Sequence, residues 1–476
     1  MRVKLVSRCS VLRTTAIARL ALAIPALLLV LACGQGKMVE TTGKMRTMMM
    51  ERNYVGALEV LQQSKEKGFK EQDRVAYFMN EGMLYFLTGQ YQKSADVLEK
   101  ADQRHKELYT KSISKSVKAA LTSDAATDYA GEDYEVVMLS VIKAMDYVAL
   151  KDLERATAEA RRIAEKLALF ATNYKEKPYV YQQDAFAHWL LGLFFEMERS
   201  YDEARISYLK SMETYQKDFS VNYGNPPPKY LAEDLVRAAI LSGSKEDADK
   251  FKSQFGGDGH TLPALKAGGE IILLHLNGEG PSKTDYFINC NFESATNWGC
   301  DGEPGGEFMT KKTITLSSGT AIKVAFPQLI IKQPMNPYIT MSVAGMTAQS
   351  EPALPISGIA VKVLRDKTGK IFKDAIIRVI TKTLLVKAGE AAGNKINPAV
   401  GFLAKVGGQV GSQATEEADK RAWITLPSRI EVARVVVPPG VYDVNLSLPQ
   451  SGMLPPIRGV KVEAGRRVVL TQLTIP

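Results

Sequence analysis

The sequence predicts an α+β multidomain protein, an N-terminal α-solenoid followed by a β-sandwich-like domain that carries a helical insertion. Three observations predict it. Apolar residues recur at helical spacing through the stretch from Thr42 to Phe255, with hardly a strand signal. Gly256-Gly257-Asp258-Gly259 then marks a change to short apolar runs bounded by Pro and Gly. At 476 residues the chain is also too long for one ordinary core. The expected divisions are a leader over 1–32, a tether over 33–43, a helical part over 44–255 and a β-rich part over 256–476, with the insertion at about 373–422.

The leader opens with Arg2, Lys4, Arg8, Arg13 and Arg19 and contains no acid. Taking these five charges from the formal +9 leaves +4 for the rest, so the basic pI is partly a property of the leader and a nucleic-acid partner is not expected. An uncharged run follows from Leu20 to Ala32. As a helix it covers about 20 Å, short of a bilayer span. The run closes on Leu31-Ala32-Cys33-Gly34 and resembles a bacterial lipoprotein signal peptide with its lipobox. That resemblance implies lipidation of Cys33. The absence of an aspartate at Gly34 implies the outer membrane rather than the inner. A plain secretory signal with a coincidental cysteine is the alternative reading.

Cys9 leaves with the leader, and Cys290 and Cys300 are the remaining pair. In an oxidising periplasm a local disulfide between them is expected. No His or further Cys lies near enough in sequence to make a zinc site with them.

Within the helical half the organising stretch is Thr122–Arg162. Val136, Val137, Val141, Ala144 and Val148 form one periodic run, Lys151-Asp152 a turn, and Leu153, Ala156, Ala160 and Ile163 a second run. The same grammar appears as Gly82, Tyr85, Gly89, Tyr91, Ser94, Leu98 and as Gly192, Phe195, Arg199, Tyr201, Ala204, Tyr208. Tyr54, Ala57 and Leu61 make a truncated copy. The pattern resembles the tetratricopeptide repeat, in which small residues admit the neighbouring helix and aromatics fill the gap. Ala57, Ser94, Ala156 and Ala204 are 37, 62 and 48 residues apart, so insertions are expected at Lys106–Gly131 and Asn173–Gln183. Lys229–Phe251 reads as a capping hairpin after Pro226-Pro227-Pro228. The alternating charge from Glu154 to Glu165 reads as a solvated helix face or as a ligand groove.

In the second half, Gly269–His275, Thr313–Leu316, Ala321–Ala325, Tyr338–Val343, Ile359–Leu364, Ile430–Val437, Val441–Leu448 and Val468–Ile475 read as strands, with Asp366–Gly369 as a hairpin turn. Lys373–Ala422, rich in Ala and Gly, reads as inserted helices. Its Val400–Gly411 stretch is apolar enough to touch a partner or lipid, or to pack on the protein's own sheet.

Four segments carry a wider likeness: Thr122–Ala125 with Tyr129–Tyr134, Ala158–Arg162, Gly269–Asp285 and Ala418–Pro427. With them the chain resembles a family of bacterial outer-membrane lipoproteins that join tetratricopeptide-like helices to a β-rich part. The resemblance implies an envelope location, beside small lipoproteins that activate peptidoglycan synthases, and supplies no catalytic residues. The segment between Pro281 and Lys312 departs from that pattern.

Signs of catalysis are missing. His105, His188, His260 and His275 form no ligand pair at helical spacing, and no Gly-x-Ser-x-Gly elbow occurs. Glu132, Asp133 and Glu135 cluster without a feature that separates an acid from a base. Lys283 and Asp285, with Asp419, Arg421 and Trp423, are the polar groups of most interest. An Arg–carboxylate pair beside an indole suits a ligand, and suits equally the pinning of an inserted helix to the sheet. No cofactor and no metal are expected. The expected function is a non-enzymatic, lipid-anchored periplasmic scaffold that binds protein partners in envelope assembly. The alternatives are an envelope enzyme acting on peptidoglycan or surface polysaccharide, and an accessory of an export channel.

Overall fold

A computed structural model describes residues 36–112, 127–173, 181, 183–259, 261–292, 298–300, 320–369, 371 and 418–475. Helix α1 spans residues 36–50. It is followed by α2 (Tyr54–Gln63), α3 (Arg74–Leu87), α4 (Tyr91–Ser112), α5 (Asp133–Ala149), α6 (Leu153–Asn173), α7 (Ala185–Met197) and α8 (Tyr201–Thr214). The chain of α8 continues through one wide turn, Tyr215–Phe219, into α9 (Ser220–Tyr223). Helices α10 (Lys229–Leu241), α11 (Lys245–Phe255) and α12 (Thr261–Ala267) complete the helical half.

Five hairpins share one turn geometry. Arg52, Gly89, Lys151, Arg199 and Gly243 each follow a helix with φ between 58° and 82°. In each, the next residue donates its N–H five residues back, as Gln90 does to the Tyr85 carbonyl and Ser200 to that of Phe195. This left-handed cap satisfies carbonyls that the helix end leaves open. Four residues into the second helix a small side chain is buried each time, at Ala57, Ser94, Ala156, Ala204 and Ala248. The helices then close on glycine: a Cβ on Gly82 would lie 2.4 Å from the Leu98 side chain, and one on Gly192 2.6 Å from the Tyr208 ring.

The sheet-rich part begins with β1 (Gly269–Asn277), β2 (Ser282–Phe292), β3 (Trp298–Cys300) and β4 (Thr320–Ile330). Then come β5 (Thr340–Val343), β6 (Met346–Gln349), β7 (Glu351–Leu354) and a helix α13 over residues 356–369. The chain ends in β8 (Arg429–Val437), β9 (Gly440–Leu448), β10 (Gly452–Met453), β11 (Ile457–Val462) and β12 (Arg467–Thr474). The central sheet has the order β12-β1-β8-β7, with β12 parallel to β1 and the other pairs antiparallel. Strands β10, β9, β5 and β6 form a second sheet, to which β11 pairs through β9, and β3-β2-β4 form a third.

Strand β1 is buried along its whole length, which fits its near-continuous apolar run. Its Ile272, Leu274 and Leu276 join the core that also contains the helices. Its Ile271 and Leu273 join a second core with Met341, Val444 and Leu446 of the β5–β9 sheet. The change at residue 256 is therefore a change of secondary structure and not a break in packing, because one apolar cluster runs from Met38 to Leu473.

Six charges lock the two halves together. Arg237 on α10 donates to Glu196 on α7 at 2.7 Å and to Asp234 at 2.5 Å. Arg434 on β8 reaches Asp234 and, on β1, Glu270, both at 2.6 Å. Arg467 on β12 closes the ring, at 3.0 Å from Glu270 and 2.6 Å from Glu196. The Trp189 indole donates to the Asp234 oxygen that Arg434 also reaches, and the Tyr208 hydroxyl to the Glu196 oxygen that Arg237 also reaches, each at 2.9 Å. Burial pushes the Glu196 carboxyl up, but Arg237 and Arg467 hold it below the usual range.

Several expectations need correction. Residues 36–43 of the expected tether are helical, with Met38 and Thr41 buried against the array. Ile359–Leu364, expected as a strand, lies in α13, and Asp366–Gly369 is helical rather than a hairpin turn. The reason is periodic: Ile356, Ile359, Ala360 and Val363 are buried at the spacing of one helix face while Val361 is exposed. Of the insertion expected at 373–422, residues 418–422 are neither helix nor strand, and 373–417 lie outside the described residues, as do Thr313–Leu316 and the leader.

Candidate functional site

The five residues singled out from the sequence converge on one place. Lys283 and Asp285 stand on β2, and Asp419, Arg421 and Trp423 on the segment that leads to β8; both face the start of α5. Lys283 Nζ lies 2.5 Å from Glu132 Oε1. Asp285 accepts from the Ala418 amide at 3.0 Å and from Lys420 Nζ at 2.6 Å. Arg421 forks onto Asp419 at 2.7 and 2.8 Å, reaches Asp73 at 3.1 Å and the Thr127 carbonyl at 2.7 Å, and covers the Tyr129 ring at 5.0 Å. Trp423 is fully buried, and its amide donates to Glu135 at 2.8 Å.

The electrostatics there are closed. Burial raises the Glu135 carboxyl, which also accepts from the Tyr129 hydroxyl at 2.6 Å. Burial works against ionisation of Glu132 as well, but Lys283 and Lys367 hold it well below the ordinary carboxylate range. Each charge has its counter-charge inside the protein, so the cluster pins β2 and residues 418–428 onto the helices. Cys290 and Cys300 stand opposite one another in the backbone register of β2 and β3. Cys33 lies outside the described residues.

A second cluster has the order of an acyl-transfer triad. Thr474 Oγ1 lies 2.7 Å from His275 Nε2, and Glu431 lies 2.9 Å from His275 Nδ1. Both His275 and Glu431 are fully buried, and Ser350, Asn277 and Arg429 also donate to Glu431. A nucleophile needs a route to substrate. This line is sealed between strands, and it joins β1, β8 and β12.

An open feature lies elsewhere. A groove of about 880 Å³ runs between the hairpin turns of α5–α6 and α7–α8, helix α12, and the β11–β12 hairpin. An apolar recess of about 330 Å³ adjoins it along Val469 and Leu470. Eight basic residues and two acids line the groove. Of the acids, Glu196 belongs to the buried ring, and Glu463 pairs with Lys461 at 2.7 Å. Lys151, Arg199, Lys266, Arg458 and Arg466 are exposed on its rim, and none has a carboxylate within 4 Å among the described residues. Lys151 and Arg199 occupy the left-handed turn positions that Gly89 and Gly243 fill in sister hairpins. Sequence reasoning identified Lys151 and Arg199 as turn residues and missed their common surface. The signal was present: long basic side chains replace glycine where the backbone favours glycine.

No protein-family model matches the chain, and no curated protein matches it. Solved structures similar to its helical part include nearly identical tetratricopeptide-like repeats of a putative kinesin light chain from Podosopora anserina. That likeness has 14% identity and a TM-score of 0.32 over 48% of this chain and 96% of the other. The MamA protein is similar at 11% identity and TM-score 0.30, over 48% of this chain and 94% of that one. The apo form of RapI is similar at 14% identity and TM-score 0.33, over 48% and 61%. Scores this low carry no argument, and the hairpin array stands on its own turn geometry. Among the described residues no group of three His, Cys, Asp or Glu side chains could hold a metal ion, and no helix is long and apolar enough to cross a membrane.

Proposed function

We propose that this chain is a non-enzymatic scaffold, anchored through Cys33 to the outer membrane on its periplasmic side, that binds protein partners in cell-envelope assembly. Peptidoglycan synthesis is the first assembly to test. The observation that carries the reading is the basic groove, whose exposed rim cations have no carboxylate within 4 Å among the described residues. The helical face that packs on the central sheet is filled by the chain's own Trp423, Val432 and Leu473, so partner binding is assigned to the groove side. The two sheets that share the second core are read as a sandwich-like unit supporting it.

Two measurements test the proposal. Fractionation should place the wild-type chain with outer membranes and release Cys33→Ala into the soluble periplasm; equal distribution of the two would remove the anchor. Crosslinking in intact envelopes, followed by mass spectrometry, should recover a peptidoglycan synthase or its activator, and recovery of nothing above background would remove the scaffold. The oxidising compartment also gives Cys290 and Cys300 conditions for a disulfide, which thiol titration before and after reduction would check.

A further inference from the structure

Among the described residues strand β12 pairs with β1 alone. The Glu270 and Gly278 amides donate to the Arg466 and Thr474 carbonyls from the β1 side, which fixes the alternation along the strand. In a parallel pair, residues one step out of phase direct both backbone groups to the opposite edge. These are Arg467, Val469, Thr471 and Leu473; the Leu473 carbonyl accepts from the Gln472 side chain, and among the described residues the outward groups of the first three meet no backbone partner. Exposed edges are normally blunted by proline, a bulge or a covering element. Strand β12 has no proline, runs in unbroken register along β1 and remains half-buried over most of its length. What lies beside it is the groove.

We propose that this edge is a docking site for an extended, acidic segment of a partner protein, which adds a strand beside β12. The acidic choice follows from the rim: Lys151, Arg199, Lys266, Arg458 and Arg466 surround the edge, while the two acids of the groove are already paired. Main-chain bonds to Arg467, Val469 and Thr471 supply affinity, and alternate side chains enter the recess along Val469 and Leu470. The proposal deepens the scaffold reading and rests on it only in requiring a partner protein.

The test pans random peptides of the length of β12 against the full lipidated chain in mild detergent. Enriched peptides are expected to carry acids at alternate positions. Their binding should weaken at least about tenfold in Arg458→Glu/Arg466→Glu, whose positions are exposed and outside either core. N-methylation of alternate peptide amides should weaken binding similarly, with the protein untouched. No enrichment, enrichment without acidic bias, or indifference to N-methylation would overturn the proposal. Sedimentation showing a self-associated chain that the charge reversal dissociates would overturn it in favour of a second copy. Envelope crosslinks retained by the double variant would leave the scaffold standing and the edge refuted, whereas loss of all crosslinks in the wild type refutes the scaffold itself.

Discussion

Arg434 on β8 donates to Asp234 on α10 at 2.6 Å, although 200 residues separate them. Each belongs to a closed ring of three arginines and three carboxylates, so neither charge meets solvent as an isolated ion. Removing one member strands its buried partners. Arg434→Met or Asp234→Asn should cost about 3–5 kcal/mol, read from denaturant midpoints. Replacing all six by apolar residues of similar volume should cost far less.

Two glycine substitutions should move stability in opposite directions. Gly43 lies on an exposed helix face with nothing within 4 Å of an added Cβ, so Gly43→Ala should stabilise by about 0.5–1 kcal/mol. Gly192→Ala would drive a methyl group into the buried Tyr208 ring and should destabilise by about 1–3 kcal/mol. Thermal unfolding of the two variants side by side is the measurement.

Relieving turn strain should separate stability from binding. Lys151→Gly and Arg199→Gly free a left-handed position at φ near 61° and 65°, and each should add about 1 kcal/mol. Both should also bind acidic peptides more weakly. A variant that gained stability and kept full peptide affinity would remove these residues from the site.

Asp146 on α5 makes stability fall as pH rises. It is fully buried, without an ion-pair partner within 4 Å among the described residues. Burial pushes its carboxyl up to about 8, against the opposing influence of Ser94 and Lys143. Below the ordinary carboxylate value both folded and unfolded forms are protonated, and the residue contributes no pH dependence. Between that value and about 8 the unfolded chain releases the proton while the folded one retains it, so stability declines. Asp146→Asn should come close to wild type near pH 4 and gain on it by about 4 kcal/mol between there and pH 7, in urea titrations at the two pH values.

The helix hairpins were legible because their signals are local. Gly89, Lys151 and Arg199 mark turns, and Ala57, Ser94, Ala156 and Ala204 mark the close approaches that the structure contains. Local β-branched content misled at Ile359–Leu364, where burial at Ile356, Ile359, Ala360 and Val363 follows the helical period. Lys283, Asp285, Asp419, Arg421 and Trp423 were legible as residues, while their partners, such as Glu132, Asp73 and Glu135, were not. The ring and the groove are also assembled from distant segments. Glu270 meets Arg467 across 197 residues, and no spacing rule reaches that far.

The parallel pairing of β1 with β12 has a consequence in time. About two hundred residues must be added after β1 before its neighbour exists, and closing so long a loop is slow. Until then the part of the helical face that Val469 and Leu473 meet stays open, although Trp423 and Val432 precede them in the chain. A chain interrupted before Arg467 would leave Glu196 with Arg237 alone and Glu270 with Arg434 alone, and would keep apolar surface beside β1 open, which is the condition that recruits chaperones and proteases. A product truncated before β12 therefore exposes apolar surface that the whole chain buries.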